Sequence, residues 1–191
     1  MTTTNKDYVT LTGVLTSNPH KRRPNKFDPK RMGYTVTVVL DDGQEKKLDE
    51  IVETLVKATW PTKKPGNFTD YTKRVGTEDD MLSFSKRFIN NFREDKMGNG
   101  RAKPDMYVRR GEVVTKLSDQ EAMDIIYAGC HVAAVARPYV TIKPNPCVTL
   151  SIDKLLFLKD GTRMSGGVNA SEAFEGFESE EEAVEAAGWD A

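Results

Sequence analysis

Residues 130–142, CHVAAVARPYVTI, constrain the fold more than any other stretch. Over Val132–Ala136 the segment is apolar at every position, so both faces of a strand built from it must be covered. That places it in the middle of a sheet. The turn Lys143-Pro144-Asn145-Pro146 follows, and then a second long strand over 147–158. There Val148, Leu150 and Ile152 share one face, and the run Leu155-Leu156-Phe157-Leu158 breaks the alternation, which marks a bulge.

Two more strands precede this pair. Residues 8–16, YVTLTGVLT, alternate with Val9, Leu11 and Leu15 on one side, and 34–40, YTVTVVL, alternate likewise. Between them PHKRRPNKFDPKRMG, with three prolines and six Lys or Arg, reads as a basic loop. After Asp42-Gly43 the period changes. Leu48, Ile51, Val52, Leu55 and Val56 line one face of a helix that Pro61 stops. PTKKPGN is then a loop. A short second helix starts at Ser118, which has capping-box spacing to Glu121, and Gly129 stands where its C-terminal cap would be. KDGTRMSGG forms a turn and an exit segment. This order predicts a mainly β fold, a small, partly open β-barrel with one or two helices, rather than a parallel α/β sheet.

The charge is split along the chain. The last 22 residues, ASEAFEGFESEEEAVEAAGWDA, hold eight acidic side chains and no Lys or Arg. Residues 1–169 keep all 28 Lys and Arg against the remaining 21 Asp and Glu, so a body of about +7 carries a tail of −8. The division expected is a folded domain over 1–169 and an acidic, disordered tail over 170–191. A basic body with an acidic tail points to a polyanion as ligand.

Several chemistries lack their residues. No GxxxxGK[ST] or GxGxxG motif is present, so no phosphate-loop cofactor is expected. Cys130, His131 and Cys147 do not have zinc spacing, and the two cysteines read as reduced thiols. Neither His20 nor His131 is marked as a catalytic base. No cofactor or metal is expected. No apolar run is long enough for a membrane span, and MTTTNKDYV is not a secretory leader, so a cytoplasmic protein is expected. Glu78, Asp79 and Asp80 leave one enzymatic alternative, a nuclease binding Mg²⁺ through these carboxylates; a solvated helix start accounts for them equally well.

The basic body interleaves aromatics with cations. In FSKRFINNFR, residues 84–93, Phe84, Phe88 and Phe92 are four apart and share a face on a strand or a helix, flanked by Lys86, Arg87 and Arg93. They are either core phenylalanines or a stacking platform. Bases of single-stranded nucleic acid stack on such rings, while Lys and Arg neutralise phosphates. The pairing recurs at Tyr107 with Arg109 and Arg110, at Arg137 with Tyr139, and at Phe27 among basic residues. Arg22, Arg23 and Lys26 belong to the basic loop, and Tyr34 opens the strand after it. Arg101 lies in GNGRAKPDM, a glycine-rich basic segment that reads equally as a loop closing over a strand of nucleic acid and as a plain disordered connection.

The stretch from Tyr127 to Tyr139, YAGCHVAAVARPY, the strand through Leu150 and Ile152, and LLFLKDGTRMSGG together resemble the single-stranded DNA-binding proteins of tailed bacteriophages. The resemblance spans residues 5–177 and is more specific after residue 120. It implies an OB-fold whose strands present aromatics and cations to single-stranded DNA without sequence preference, in phage replication, recombination or repair. It implies no enzymatic activity and places the protein in the host cytoplasm. The acidic tail would compete with DNA and dock replication or recombination proteins through Phe174, Phe177, Glu180, Glu181, Glu182, Trp189 and Asp190. The chain ends in Trp189-Asp190-Ala191, where such tails often end in an acidic run capped by phenylalanine. An RNA-binding OB protein is a further alternative, and assembly as a homodimer is left open.

Overall fold

The computed structural model describes residues 8–75 and 86–164. Ten strands and two helices follow one another in the order β1 (Val9–Leu15), β2 (Arg23–Pro24), β3 (Met32–Leu40), α1 (Gln44–Thr59), β4 (Thr69–Asp70), β5 (Arg74–Val75), β6 (Arg87–Glu94), β7 (Asp105–Arg110), β8 (Val113–Lys116), α2 (Asp119–Ile125), β9 (His131–Thr141) and β10 (Cys147–Lys159). The sheet runs β5-β6-β3-β1-β9-β10-β7-β8, with β2 added to β3 and β4 to β10. β9 is central, as its apolar faces require: β1 pairs antiparallel on one side and β10 on the other.

Alternation sorts the faces. Leu11, Leu15, Val36, Val38, Ile89, Val132, Ala134 and Ile152 point into a common core. Leu48, Val52 and Val56 of α1 cover it at one end, and Ala122 and Ile126 at the α2 end. α2 carries the expected capping box: Ser118 Oγ accepts from Glu121 N, and the Glu121 carboxylate accepts from Ser118 N. These bonds hold the Glu121 carboxyl down at about 2. Gly129 does not cap α2, which ends at Ile126. Its N–H bonds instead to the carbonyl of Leu15. It has φ +111°, and a Cβ there would meet the Thr162 carbonyl oxygen at 1.8 Å. The exit segment lies against it: Met164 N donates to Ala128 O, and Arg163 stacks 4.0 Å from the Tyr127 ring centroid.

The main-chain ladder does not close on itself. No backbone pairing joins β6 to β10 where they face each other, and the Asn91 side chain hydrogen-bonds across that seam to the main chain of β10. Asn91 on β6 donates through Nδ2 to Leu150 O at 3.2 Å and accepts from Ile152 N at 3.3 Å through Oδ1. A carbonyl and an N–H two residues apart on one strand are the groups that a single residue of a parallel neighbour engages. The Asn91 carboxamide thus stands in for a missing stretch of parallel ladder. Just beyond, β10 bulges, its register to β9 shifting between Ile152 and Lys154 and again between Phe157 and Lys159. After the first shift β10 pairs in parallel with β7.

A second device fixes α1. Arg87 donates from both terminal nitrogens to the Asp49 carboxylate, at 2.9 and 3.0 Å, and from Nε to Thr72 O at 2.8 Å. This guanidinium ties α1, β6 and the segment before β5 together. Its hydrogen bonds hold the Asp49 carboxyl below the usual carboxylate value.

Removing the Asn91 amide orphans two buried main-chain groups, so Asn91→Ala should lower unfolding free energy by about 2 kcal/mol or more. Asn91→Asp, which cannot donate to the Leu150 carbonyl when ionised, should be no better. Urea unfolding tests both. Asp49 has a lowered folded pKa, so its contribution is complete above the ordinary value of 3.8 and is lost as pH falls through the folded one. The urea midpoint should therefore fall more steeply on acidification below about pH 4 in the native chain than in Asp49→Asn.

Candidate nucleic-acid interface

In OB-type barrels the outer face of the second and third strands, with the adjoining loops, receives oligonucleotides. Here that face is formed by β3 and β6. Val39 pairs with Phe88, Thr37 with Asn90 and Thr35 with Phe92, all pointing away from the core. Asn90 Nδ2 donates to Thr37 Oγ1 at 3.0 Å. The FSKRFINNFR segment is thus a strand over its described part. Phe88 is buried and packs with Val39. Phe92 is half-buried, its ring lying over Gly33, where a Cβ would come within 2.8 Å of it. Phe84 lies outside the described residues.

Two loops border this face at the Phe92 end. Residues 16–31 leave β1, form β2 on the edge of β3, and carry Arg22, Arg23 and Lys26 with Phe27 at 85% exposure. Asn25 organises the tip, its Oδ1 accepting from the N–H groups of Phe27 and Asp28. At its root, His20 Nε2 donates to Ile126 O at 2.7 Å, and burial lowers the His20 pKa. Residues 95–104 form the other loop, whose Gly98 and Gly100 have positive φ. Arg22 joins the two loops. It donates to the Asp95 carbonyl at 3.1 Å and lies 3.6 Å from the carboxylate of Asp95, which is 3% exposed and also accepts from Gly100 N. Lys103 Nζ sits 5.6 Å from the centroid of the Tyr34 ring, which is buried.

The other cations divide by their partners. Arg31 pairs with Glu94 at 3.0 Å, and Lys86 with Asp42 at 3.1 Å. Arg93 and Arg137 flank Asp153 in the β10 bulge at 3.7 and 3.6 Å, and exposed Tyr139 follows Arg137 on the same face of β9. Arg87 is committed to Asp49 and Thr72. Arg23, Lys26 and Arg101 are exposed and have no carboxylate within ion-pair distance among the described residues. Tyr107, Arg109 and Arg110 lie apart from this face, on the β7–β8 hairpin. There Lys154 lies 5.8 Å from the Tyr107 ring and Arg110 pairs with Glu121.

The structure also shows aromatic–cation pairs that the sequence reading passed over. Lys64 lies 5.2 Å from the Phe68 ring, which meets Trp60 edge-on at 5.3 Å, and Arg74 lies 4.9 Å from the Tyr71 ring. The interleaving used at Tyr107 and Tyr139 was present in WPTKKPGNFTDYTKR as well. Glu78, Asp79, Asp80 and the tail residues Phe174, Phe177, Glu180, Glu181, Glu182, Trp189 and Asp190 lie outside the described residues. Among the described residues, no group of three or more His, Cys, Asp or Glu is placed to hold a metal ion, and no helix is long and apolar enough to cross a membrane.

No protein-family model matches the chain, and no curated protein matches it in sequence. Solved structures do match. The single-stranded DNA-binding protein from bacteriophage Enc34 in complex with ssDNA superposes with a TM-score of 0.60 at 18% identity, covering 83% of this chain and 90% of that one. The same protein without DNA gives 0.56 at 19% identity over 88% and 90%, and its C-terminal truncation 0.56 at 20% over 82% and 88%. The partly open β-barrel described above therefore shares its fold with the Enc34 protein.

Proposed function

We propose that this protein binds single-stranded DNA without sequence preference, in phage DNA replication, recombination or repair, and that it does no chemistry on the strand. The observation that carries the reading is the outward Phe92 ring on β6, bordered by a basic loop whose tip holds an almost fully exposed phenylalanine. A ring left in water at that cost, beside Arg23 and Lys26, which have no carboxylate within ion-pair distance among the described residues, suits a base stacked on it and phosphates beside it. The likeness to the Enc34 protein, solved in complex with ssDNA, supports the same ligand.

Arg22, pinned to Asp95, holds the two loops in register, while Arg23, Lys26 and Arg101 supply charge to the backbone. None of these groups reads a base edge, which is why no sequence preference follows. Residues 170–191, with eight carboxylates against a +7 body, act as a tethered competitor for the same cations. Displaced by DNA, they are free to dock replication or recombination proteins, with Phe174, Phe177 and Trp189 as apolar anchors.

Anisotropy titrations of labelled oligo-dT and of the matching duplex test this reading. The single strand should bind far more tightly, with log affinity falling by about 0.7 per log unit of salt for each phosphate contacted. Phe27→Ala and Phe92→Ala should each weaken binding by about fivefold or more, the worth of one stacked base. Equal affinity for strand and duplex would refute the assignment, and a stronger hold on RNA of the same sequence would shift it to the RNA-binding alternative. Deleting residues 170–191 should tighten binding at low salt, and unchanged affinity there would leave the tail without a regulatory role.

A further inference from the structure

The segment between α1 and β6 holds the second concentration of rings and cations in the molecule. Its backbone is anchored at three points. Thr69 N donates to Pro146 O, Tyr71 N to Val148 O, and Arg87 Nε to Thr72 O. Thr72 itself is fully buried, with its N–H and hydroxyl both bonded to Asp70. A loop fixed in this way presents its side chains in set positions, so little ordering entropy remains to be lost on binding.

Those side chains continue the outer face of the barrel. Arg74 pairs directly with Phe88 across β5 and β6, so the two point to the same side. Phe88 and Phe92, four residues apart on one strand, also share that side. Arg74 therefore stands about 13 Å along β6 from Phe92. Its guanidinium lies over Tyr71, which is 43% exposed. A cleft of about 500 Å³ opens between the end of α1 and the loop, with Trp60 and Phe68 in its wall and Lys63, Lys64 and Lys73 on its rim. It lies where Asp49 meets Arg87, on the side of β6 opposite to Phe88, so a strand reaches it by passing round the β5 edge. Three carboxylates also line it: Asp49 binds Arg87 and Glu53 pairs with Lys57, while Asp70 accepts only from the neutral Thr72 and keeps its charge. The three rim lysines have no carboxylate within ion-pair distance among the described residues, and three of them against Asp70 leave the cleft positive.

We infer that residues 60–75 form a second subsite for single-stranded nucleic acid, continuous with the β3–β6 face. Tyr71 offers a ring to a base, the Trp60–Phe68 cleft takes a further nucleotide, and Lys63, Lys64 and Arg74 meet the phosphates between. The inference rests on the single-strand-binding reading of the β3–β6 face, and it sets how many nucleotides one protein covers.

The test is a length series of labelled oligo-dT, from about 5 to about 16 nucleotides, the range that single OB-folds occupy. It uses the full-length protein, Tyr71→Ala, and the double variant Lys63→Ala/Lys64→Ala. All three substituted side chains are exposed or half-exposed, and retained affinity for the shortest oligomer reports an intact fold. Native protein should gain affinity as the strand lengthens. Tyr71→Ala should lose about tenfold on the long oligomer and nothing on the short one. The double variant should lower the salt slope for the long oligomer by about 1.4, two phosphate contacts, again sparing the short one. Variants that match the native protein at both lengths overturn the subsite, as do variants weakened equally at both. Tighter long-strand binding by the lysine variant also overturns it, because the cleft then holds the chain's own acidic segment. If native protein binds neither length, it is the β3–β6 reading that has failed.

Discussion

A single carboxamide closes this barrel. Asn91 presents a donor and an acceptor, in one plane, to a carbonyl and an N–H of β10, and no apolar side chain of its size could do so. The geometry matters because β10 serves three parallel partners in turn, β4 by main-chain pairing at Cys147 and Val148, β6 through Asn91, and then β7 by main-chain pairing again. The bulge at Asp153 makes the change of partner. Asp153 then gathers Arg93 from β6 and Arg137 from β9. The placement of Arg93 and Arg137 thus follows from how one seam is bridged.

Much of the fold was legible because it is written in local periodicity. Strands β1, β3, β9 and β10 lie within two residues of where alternation puts them, α1 follows its apolar stripe, and Ser118 caps α2 through Glu121, whereas the spacing of four in β6 suits a strand and a helix alike. The elements that escaped notice are β2, β4, β5, β7 and β8, most only two residues long. Nothing in Thr69-Asp70 or Arg74-Val75 signals a strand until Cys147 or Phe88 lies alongside. Gly129 misled for a related reason. Its positive φ suits a helix cap, but the close approach that demands glycine is to Thr162, 33 residues away in sequence and invisible to any local pattern.

The candidate site was legible by residue type and illegible by partner. Arg87 and Arg23 look alike in sequence. One is locked between Asp49, 38 positions earlier, and Thr72, while the other faces water. Phe88 and Phe92 share a face, yet Phe88 is covered beside Val39 and Phe92 is only half-buried over Gly33. A charge or a ring is available to a ligand only when the fold has not already used it, and that is decided by contacts distant along the chain. The 60–75 segment is the reverse case. Its cations and rings were in view, but their alignment with β6 appears only through the pairing of Arg74 with Phe88.

The anchoring of the exit segment has a geometric consequence. Met164 is bonded to Ala128, Gly129 to Leu15, and His20 to Ile126, so the point of departure of the C-terminal segment is fixed next to the root of the 16–31 loop. A chain leaving from there spans at most about 3.3–3.6 Å per residue. Its first carboxylate, Glu172, is eight residues on, a leash of about 28 Å at full stretch. The length of the leash, more than the number of carboxylates on it, bounds which groups the first acidic side chain can approach.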